Sequence, residues 1–190
     1  IVLTRMEHHA NLVPWIIMSK RYGFEIRYIE LQKSHNPATN LFELDLDSAE
    51  NLIDEKTKVA SFCHVSNTLG TINPAKEIIA FAKKVGAITI VDVAQSVAHL
   101  PIDVKDLDCD FLVFSGHKIY GPTGIGVLYG KKERLEKLEP FFYGGDMITE
   151  VTYESASWAE VPARFEGGTP NIAGAIGLGA AIDFMQSIGY

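Results

Sequence analysis

One lysine in this chain stands where chemistry is commonly done. Ser115-Gly116-His117-Lys118 closes the apolar run Phe111–Phe114 and precedes Tyr120-Gly121-Pro122-Thr123-Gly124-Ile125-Gly126. A lysine carried out of a buried strand into a glycine-rich turn sits at the strand's carboxyl end, where open α/β sheets bind ligands. An amine in that position is placed to act as an imine-forming nucleophile. Taken singly, a loop lysine needs no such role. Its company decides: Glu7, His8 and His9 follow the first apolar run; His64, Ser66 and Asn67 follow a later one; Asp92 and Gln95 follow the next. Each alone is accounted for as a turn or cap residue. Convergent polar groups from separate strand ends are what a ligand crevice requires.

An imine-forming lysine, an aspartate, an imidazole that can stack and small hydroxyl donors together suit pyridoxal 5'-phosphate. Its aldehyde, ring nitrogen, ring face and phosphate each need a different partner. Asp92, at the end of Ile88-Thr89-Ile90-Val91, would keep the pyridine nitrogen protonated and the ring an electron sink. Other chemistries have weaker support. His8, His9, His64 and His117 show no HExxH or comparable metal spacing, and neighbouring histidines on an extended segment point in opposite directions. No metal site is expected. Gly121, Gly124 and Gly126 do not spell GxGxxG, and GxxxxGK[ST] is missing, so a nucleotide site would rest on topology alone.

The elements that must position these groups alternate. Ile1–Thr4 reads as a strand, Asn11–Tyr22 as an amphipathic helix stopped by Gly23, Glu25–Leu31 as a strand and Ser34–Asn40 as a loop. Asp47–Ile53 reads as a short helix, Val59–Val65 as a strand, Ala75–Val85 as a helix ended by Gly86, and Ala87–Val91 as a buried strand. This β-α-β-α-β rhythm predicts an α/β fold: a largely parallel sheet with helices on both faces. Beyond Lys118 the pattern changes, with a strand at Ile125–Tyr129, a charged helix at Lys131–Leu138, an exposed loop or hairpin at Tyr143–Ile148 and a small-residue helix at Ile172–Ile188.

Composition narrows the partners. The 190 residues are 47% hydrophobic and 22% charged, enough to bury one large core. A net charge of −7 from 17 basic and 24 acidic residues, without a block of like charge, argues against nucleic acid and acidic membrane. Cys63 and Cys109 lie in or beside apolar segments without CxxC spacing, which suits buried small hydrophobes in a reducing, cytoplasmic compartment. No membrane span or signal peptide is expected. Both ends fall inside the element pattern, so residues 1–190 read as part of a larger domain.

Five motifs in order carry a family resemblance: Glu7-His8-His9-Ala10-Asn11, His64-Val65-Ser66-Asn67-Thr68-Leu69-Gly70, Asp92-Val93-Ala94-Gln95, Ser115-Gly116-His117-Lys118 and Arg164-Phe165-Glu166-Gly167-Gly168-Thr169-Pro170-Asn171. The chain resembles, nearly end to end, the SufS-type cysteine desulfurases and selenocysteine lyases of the class V aminotransferase-like enzymes. The resemblance implies a fold type I pyridoxal-phosphate large domain over residues 1–190, lacking an N-terminal segment and a C-terminal small domain. It implies that Lys118 is the Schiff-base lysine, Asp92 the partner of the pyridine nitrogen and Gln95 the donor to the ring hydroxyl. His8 would stack on the ring, Ser115 and His117 would bind the phosphate, and Asn67 would lie by cofactor and substrate. Thr169 would reach the phosphate of a neighbouring subunit, which implies a homodimer.

The activity so implied turns L-cysteine into L-alanine and an enzyme persulfide for iron-sulfur cluster assembly, with L-selenocysteine as the other substrate and a sulfur-acceptor protein as partner. Lys118, once freed, would remove the α-proton. The resemblance places the nucleophilic cysteine and the arginine for the substrate carboxylate beyond Tyr190; neither Cys63 nor Cys109 matches the nucleophile, because their flanking residues match strand positions of the family. Val93 stands where the family commonly has glycine. Another class V activity, aminotransferase or epimerase, and a non-catalytic scaffold of the same fold stay open.

Overall fold

The computed structural model describes residues 1–35 and 41–189. In chain order the strands are β1 (Val2–Thr4), β2 (Arg27–Ile29), β3 (Leu31–Lys33), β4 (Phe42–Leu44), β5 (Val59–Cys63), β6 (Ile88–Asp92), β7 (Phe111–Ser115), β8 (Gly126–Gly130), β9 (Ile148–Val151) and β10 (Ala156–Trp158). The helices are α1 (Val13–Tyr22), α2 (Leu46–Leu52), α3 (Ala75–Lys84), α4 (Val104–Leu107), α5 (Lys132–Leu135) and α6 (Ile172–Ile188).

Six strands form one sheet in the order β2-β1-β5-β6-β7-β8. The first five are parallel, and β8 closes the edge antiparallel to β7. The central strands are short apolar runs without polar alternation because helices and loops cover both faces. Val2, Leu3, Ala60, Phe62, Val91 and Leu112 are all buried. Helix α3 supplies one cover: Ala75, Ile78, Ile79 and Ala82 recur at helical spacing and are buried, while its lysines face outward. Burying each isoleucine contributes about 1.5–3 kcal/mol. Helix α2 starts where the Asp45 carboxylate accepts the Ser48 N–H at 3.0 Å.

The mostly parallel α/β sheet flanked by helices is as the sequence predicts, and several details differ. The strand expected over Glu25–Leu31 breaks at Glu30. There Arg5 takes the carboxylate at 2.8 Å and the Glu30 carbonyl accepts the Asp45 N–H, so the chain leaves the sheet. The following β3 pairs antiparallel with β4 in a separate ribbon. Residues 36–40 of the expected loop lie outside the described residues. The helix expected from Asn11 begins at Val13, after a 3-10 turn at His9–Asn11, and it buries no residue: Val13, Ile17, Met18 and Tyr22 are exposed. The charged helix expected over Lys131–Leu138 is the single turn of α5. Tyr143–Met147 is a loop that leads into the β9–β10 hairpin, with Met147 fully buried beneath it.

Helix α6 buries Gly174, Leu178, Ala181 and Met185 along one stripe against Ile119. Its small residues permit close approach, since a Cβ on Gly177 would lie 3.1 Å from the Pro122 ring. Among the described residues no helix is long and apolar enough to cross a membrane.

Candidate active site

Parallel strands bring their carboxyl ends to one edge, and that edge gathers the polar groups. Cys63 at the end of β5 is the register partner of Asp92 at the end of β6, and Asp92 is the partner of Val113 in β7. Ser115 ends β7 two residues further along, and His117 and Lys118 follow it. His8 follows β1, and Asn67 follows β5.

The half-buried Asp92 is fixed by backbone. Its Oδ1 accepts the Ala94 N–H at 2.8 Å, and its carbonyl accepts the His64 N–H at 2.8 Å. Gln95 lies in the turn that follows, beside the buried Ser96. The Ser96 hydroxyl donates to the Val93 carbonyl at 3.2 Å and meets His64 Nδ1 at 3.1 Å. Burial holds the His64 imidazole below its usual titration range and therefore neutral near pH 7.

Lys118 rides on a 3-10 turn, Gly116–Ile119, that ends with Tyr120 in the left-handed region at φ 65°. The turn closes through Gly121 N–H to the Gly116 carbonyl at 3.0 Å and Gly116 N–H to the Ile125 carbonyl at 2.9 Å. Gly121 admits no side chain, because a Cβ there would sit 2.8 Å from the Gly116 carbonyl oxygen and 3.0 Å from Leu178 of α6. Lys118 itself is half-buried, and its Nζ has no hydrogen-bond or ion-pair partner among the described residues.

The side chains of Asn67, Gln95, Ser115 and His117 are equally uncommitted among the described residues. His8 spends only Nδ1, which accepts the Ala10 N–H at 3.1 Å, and keeps its ring faces exposed. His8 and His9 do not lie on a strand pointing oppositely as expected; the 3-10 turn puts their rings 6.0 Å apart and tilted. Among the described residues, a free amine, a carboxylate with one oxygen left over, an open imidazole face and several uncommitted polar side chains form a set that fits pyridoxal phosphate.

Thr169 lies on a different segment from this group. It is exposed, three residues before α6, in a segment tied to Gly145 through Gly168 N–H and to Gly124 through the Asn171 side chain. Nothing in that segment bonds to the ends of β1, β5 or β6 among the described residues.

Sequence reasoning gave Glu7 no role, yet it is the hub behind the edge. Its Oε1 accepts from the Thr4 hydroxyl at 2.5 Å and the Cys63 N–H at 3.1 Å, and its Oε2 accepts from Asn11 Nδ2 at 2.6 Å. Asn11 Oδ1 in turn accepts from the Ser61 hydroxyl at 2.7 Å and from Trp15 Nε1 at 3.1 Å. Burial pushes the Glu7 carboxyl above its usual range, helped by the nearby Asp92 charge, while those three donors oppose it. The available signal was an acid placed directly between a buried strand and a histidine.

Residues 1–190 match the family described as aminotransferase class-V. The chain belongs to the aminotransferase class-V family. This class V chain is 54% identical over its whole length to a probable cysteine desulfurase of Halalkalibacterium halodurans, of which it spans 45%. It matches the apo structure of a cysteine desulfurase from Thermococcus onnurineus with a TM-score of 0.90 at 43% identity, over 99% of this chain and 46% of that one. A solved variant of the lyase C-DES, with glycine covalently linked to its PLP cofactor, matches with a TM-score of 0.85 at 28% identity, over 99% of this chain and 49% of that one. The chain thus spans about half the length of the relatives it matches. The class V assignment and the fold type I architecture both agree with the order of motifs in the sequence.

Proposed function

We propose that residues 1–190 are the cofactor-binding large domain of a pyridoxal-phosphate-dependent cysteine desulfurase. The whole protein would turn L-cysteine into L-alanine, the substrate sulfur passing to an enzyme thiol as a persulfide. One observation carries the reading: the half-buried Lys118 amine, without a partner among the described residues, on the same sheet edge as the backbone-held Asp92 carboxylate and the open His8 ring. The desulfurase names of the relatives supply the reaction class.

Bound pyridoxal phosphate supplies a sink for the electron pair left when the substrate α-proton departs. Lys118 is the attachment point and, once released, the base that takes that proton. Asp92 would receive the ring N–H, His8 would stack on the ring and Gln95 would donate to the ring hydroxyl. Ser115 and His117 hold the phosphate, and Asn67 stands beside cofactor and substrate. Thr169, on a different segment, reaches the phosphate of a second subunit in a homodimer.

Cys63 and Cys109 are both buried, and burial raises both thiols, Cys63 far above the usual thiol range. The sulfur-accepting thiol is therefore assigned to the remainder of the protein. In the same reading the persulfide goes to an acceptor protein for iron-sulfur cluster assembly in the cytoplasm, and L-selenocysteine is the competing substrate.

The test uses the full-length protein. It should purify yellow and release alanine from cysteine while a persulfide accumulates on one cysteine, and Lys118→Ala should lose covalent cofactor and turnover together. A colourless protein overturns the cofactor assignment. Turnover without persulfide overturns the desulfurase assignment and favours another class V activity.

A further inference from the structure

We propose that Glu7 is a positioning residue: its carboxylate ties the end of β1, the turn behind His8 and the end of β5 into one cluster that sets the His8 ring against the cofactor plane. The inference rests on the cofactor reading above and adds a residue that does not touch the reacting atoms.

The geometry gives Glu7 only donors. The Thr4 hydroxyl oxygen accepts the Met6 N–H at 3.1 Å and turns its O–H to Glu7. The Cys63 N–H can only donate. Asn11 cannot turn its oxygen towards Glu7, because that oxygen is held by Ser61 and Trp15. Fixed donors at both oxygens, the Cys63 N–H on Oε1 and Asn11 Nδ2 on Oε2, call for a group that accepts at both, and a carboxylate alone does so.

What this holds in place is the path of His8. The chain leaves β1 at Thr4, passes Glu7 and enters a 3-10 turn in which the Asn11 N–H bonds the His8 carbonyl at 2.8 Å. Glu7 grips this segment on both sides of His8, at Thr4 and at Asn11, and pins it to Cys63, the register partner of Asp92. The stacking ring and the acid beneath the ring nitrogen are thereby referred to one strand pair.

An isosteric change separates this from simple packing. Glu7→Gln keeps the shape but puts an NH2 group against either Asn11 Nδ2 or the Thr4 and Cys63 donors. Adding Asn11→Asp reverses the pair, restoring an acceptor opposite the new donor and keeping the net charge, while Ser61 and Trp15 retain their acceptor. In the full-length holoenzyme, Glu7→Gln should keep covalent cofactor but change the visible circular dichroism of the cofactor band. It should also lower kcat by about ten- to a hundredfold with KM little moved. The double variant should restore the band and bring kcat back to within about threefold.

A wild-type band in Glu7→Gln, or a double variant no better than the single one at equal melting temperature, overturns the proposal. Should Glu7→Gln yield no folded holoenzyme, Ser61→Ala loosens Asn11 alone and should change the band in the same sense; an unchanged band there overturns it too. Failure of the cofactor reading looks different, since the unmutated protein would then show no cofactor band.

Discussion

Cys63 and Asp92 are register partners on adjacent parallel strands, the Cys63 N–H donating to Glu7 and the Asp92 carboxylate accepting the Ala94 N–H at 2.8 Å. Two carboxylates thus stand at the same sheet edge, each held in part by a main-chain N–H and neither by a flexible cation. Main-chain donors cost little further ordering once the sheet has formed, so the acid is aimed before any ligand arrives.

Asp92→Asn should therefore separate aim from charge. The amide oxygen can keep the Ala94 N–H, so the turn and covalent attachment at Lys118 should survive. Loss of the charge should lower kcat for alanine formation by roughly two to four orders of magnitude. Turnover within tenfold of the parent, measured with stoichiometric cofactor, would remove Asp92 from the role of ring-nitrogen partner.

Much of this was legible because parallel strands bury both faces and so appear as unbroken apolar runs ending abruptly in polar residues. Val59–Cys63, Ile88–Asp92 and Phe111–Ser115 are such runs, and their ends mark the site. The break at Glu30 was not legible, since it depends on Arg5 and Asp45, distant in sequence. Glu7 escaped for a similar reason: its partner Cys63, and the Ser61 that holds Asn11, come to it only when β1 lies beside β5. Helix α1 shows the converse, an apolar pattern whose Val13, Ile17 and Tyr22 find no cover among the described residues.

The glycine turn under Lys118 predicts a sharp steric effect. In Gly121→Ala the new methyl meets the Gly116 carbonyl oxygen at 2.8 Å, and Gly116 opens the very turn that presents Lys118. Backbone cannot yield as a side-chain tip does. The variant should lose about 1–3 kcal/mol of stability and hold less cofactor after gel filtration. A parent-like melting temperature and full cofactor content would show that the turn can open without cost.

Neither thiol of this chain should behave as a nucleophile. Cys63 sits beneath Glu7 with its Sγ 3.5 Å from the Met6 carbonyl, and Cys109 is fully buried. Burial is the main cause that lifts both thiols, and for Cys63 the Glu7 and Asp92 charges add to it. Iodoacetamide on the native full-length protein, followed by mass mapping, should leave both unmodified and label them only after denaturation. Alkylation of Cys63 in the folded protein, or persulfide on it during turnover, would overturn its assignment as an inert core residue.

At the opposite end of the sheet, Asp110 offers a prediction in pH. Its buried carboxylate accepts the Thr89 N–H at 2.9 Å, the Thr89 hydroxyl at 3.1 Å and Arg134 Nε at 2.8 Å. Burial alone would raise this acid, but those donors and the Arg134 charge outweigh it and hold the group below the usual carboxylate range. A folded-state value below the unfolded one, about 3.9, stabilises the protein fully above that value, and the contribution fades as pH falls through it. Asp110→Asn sets an NH2 group against either Arg134 or the Thr89 donors, and should cost about 2 kcal/mol at pH 7, less than a fully buried pair because Arg134 is partly solvated. Urea unfolding of parent and variant should show that gap at pH 7 and a smaller one at pH 3, with kcat unchanged because the site lies at the other ends of the strands. A gap that stays constant down to pH 3 would mean that the Asp110 charge contributes nothing and that the loss is one of shape.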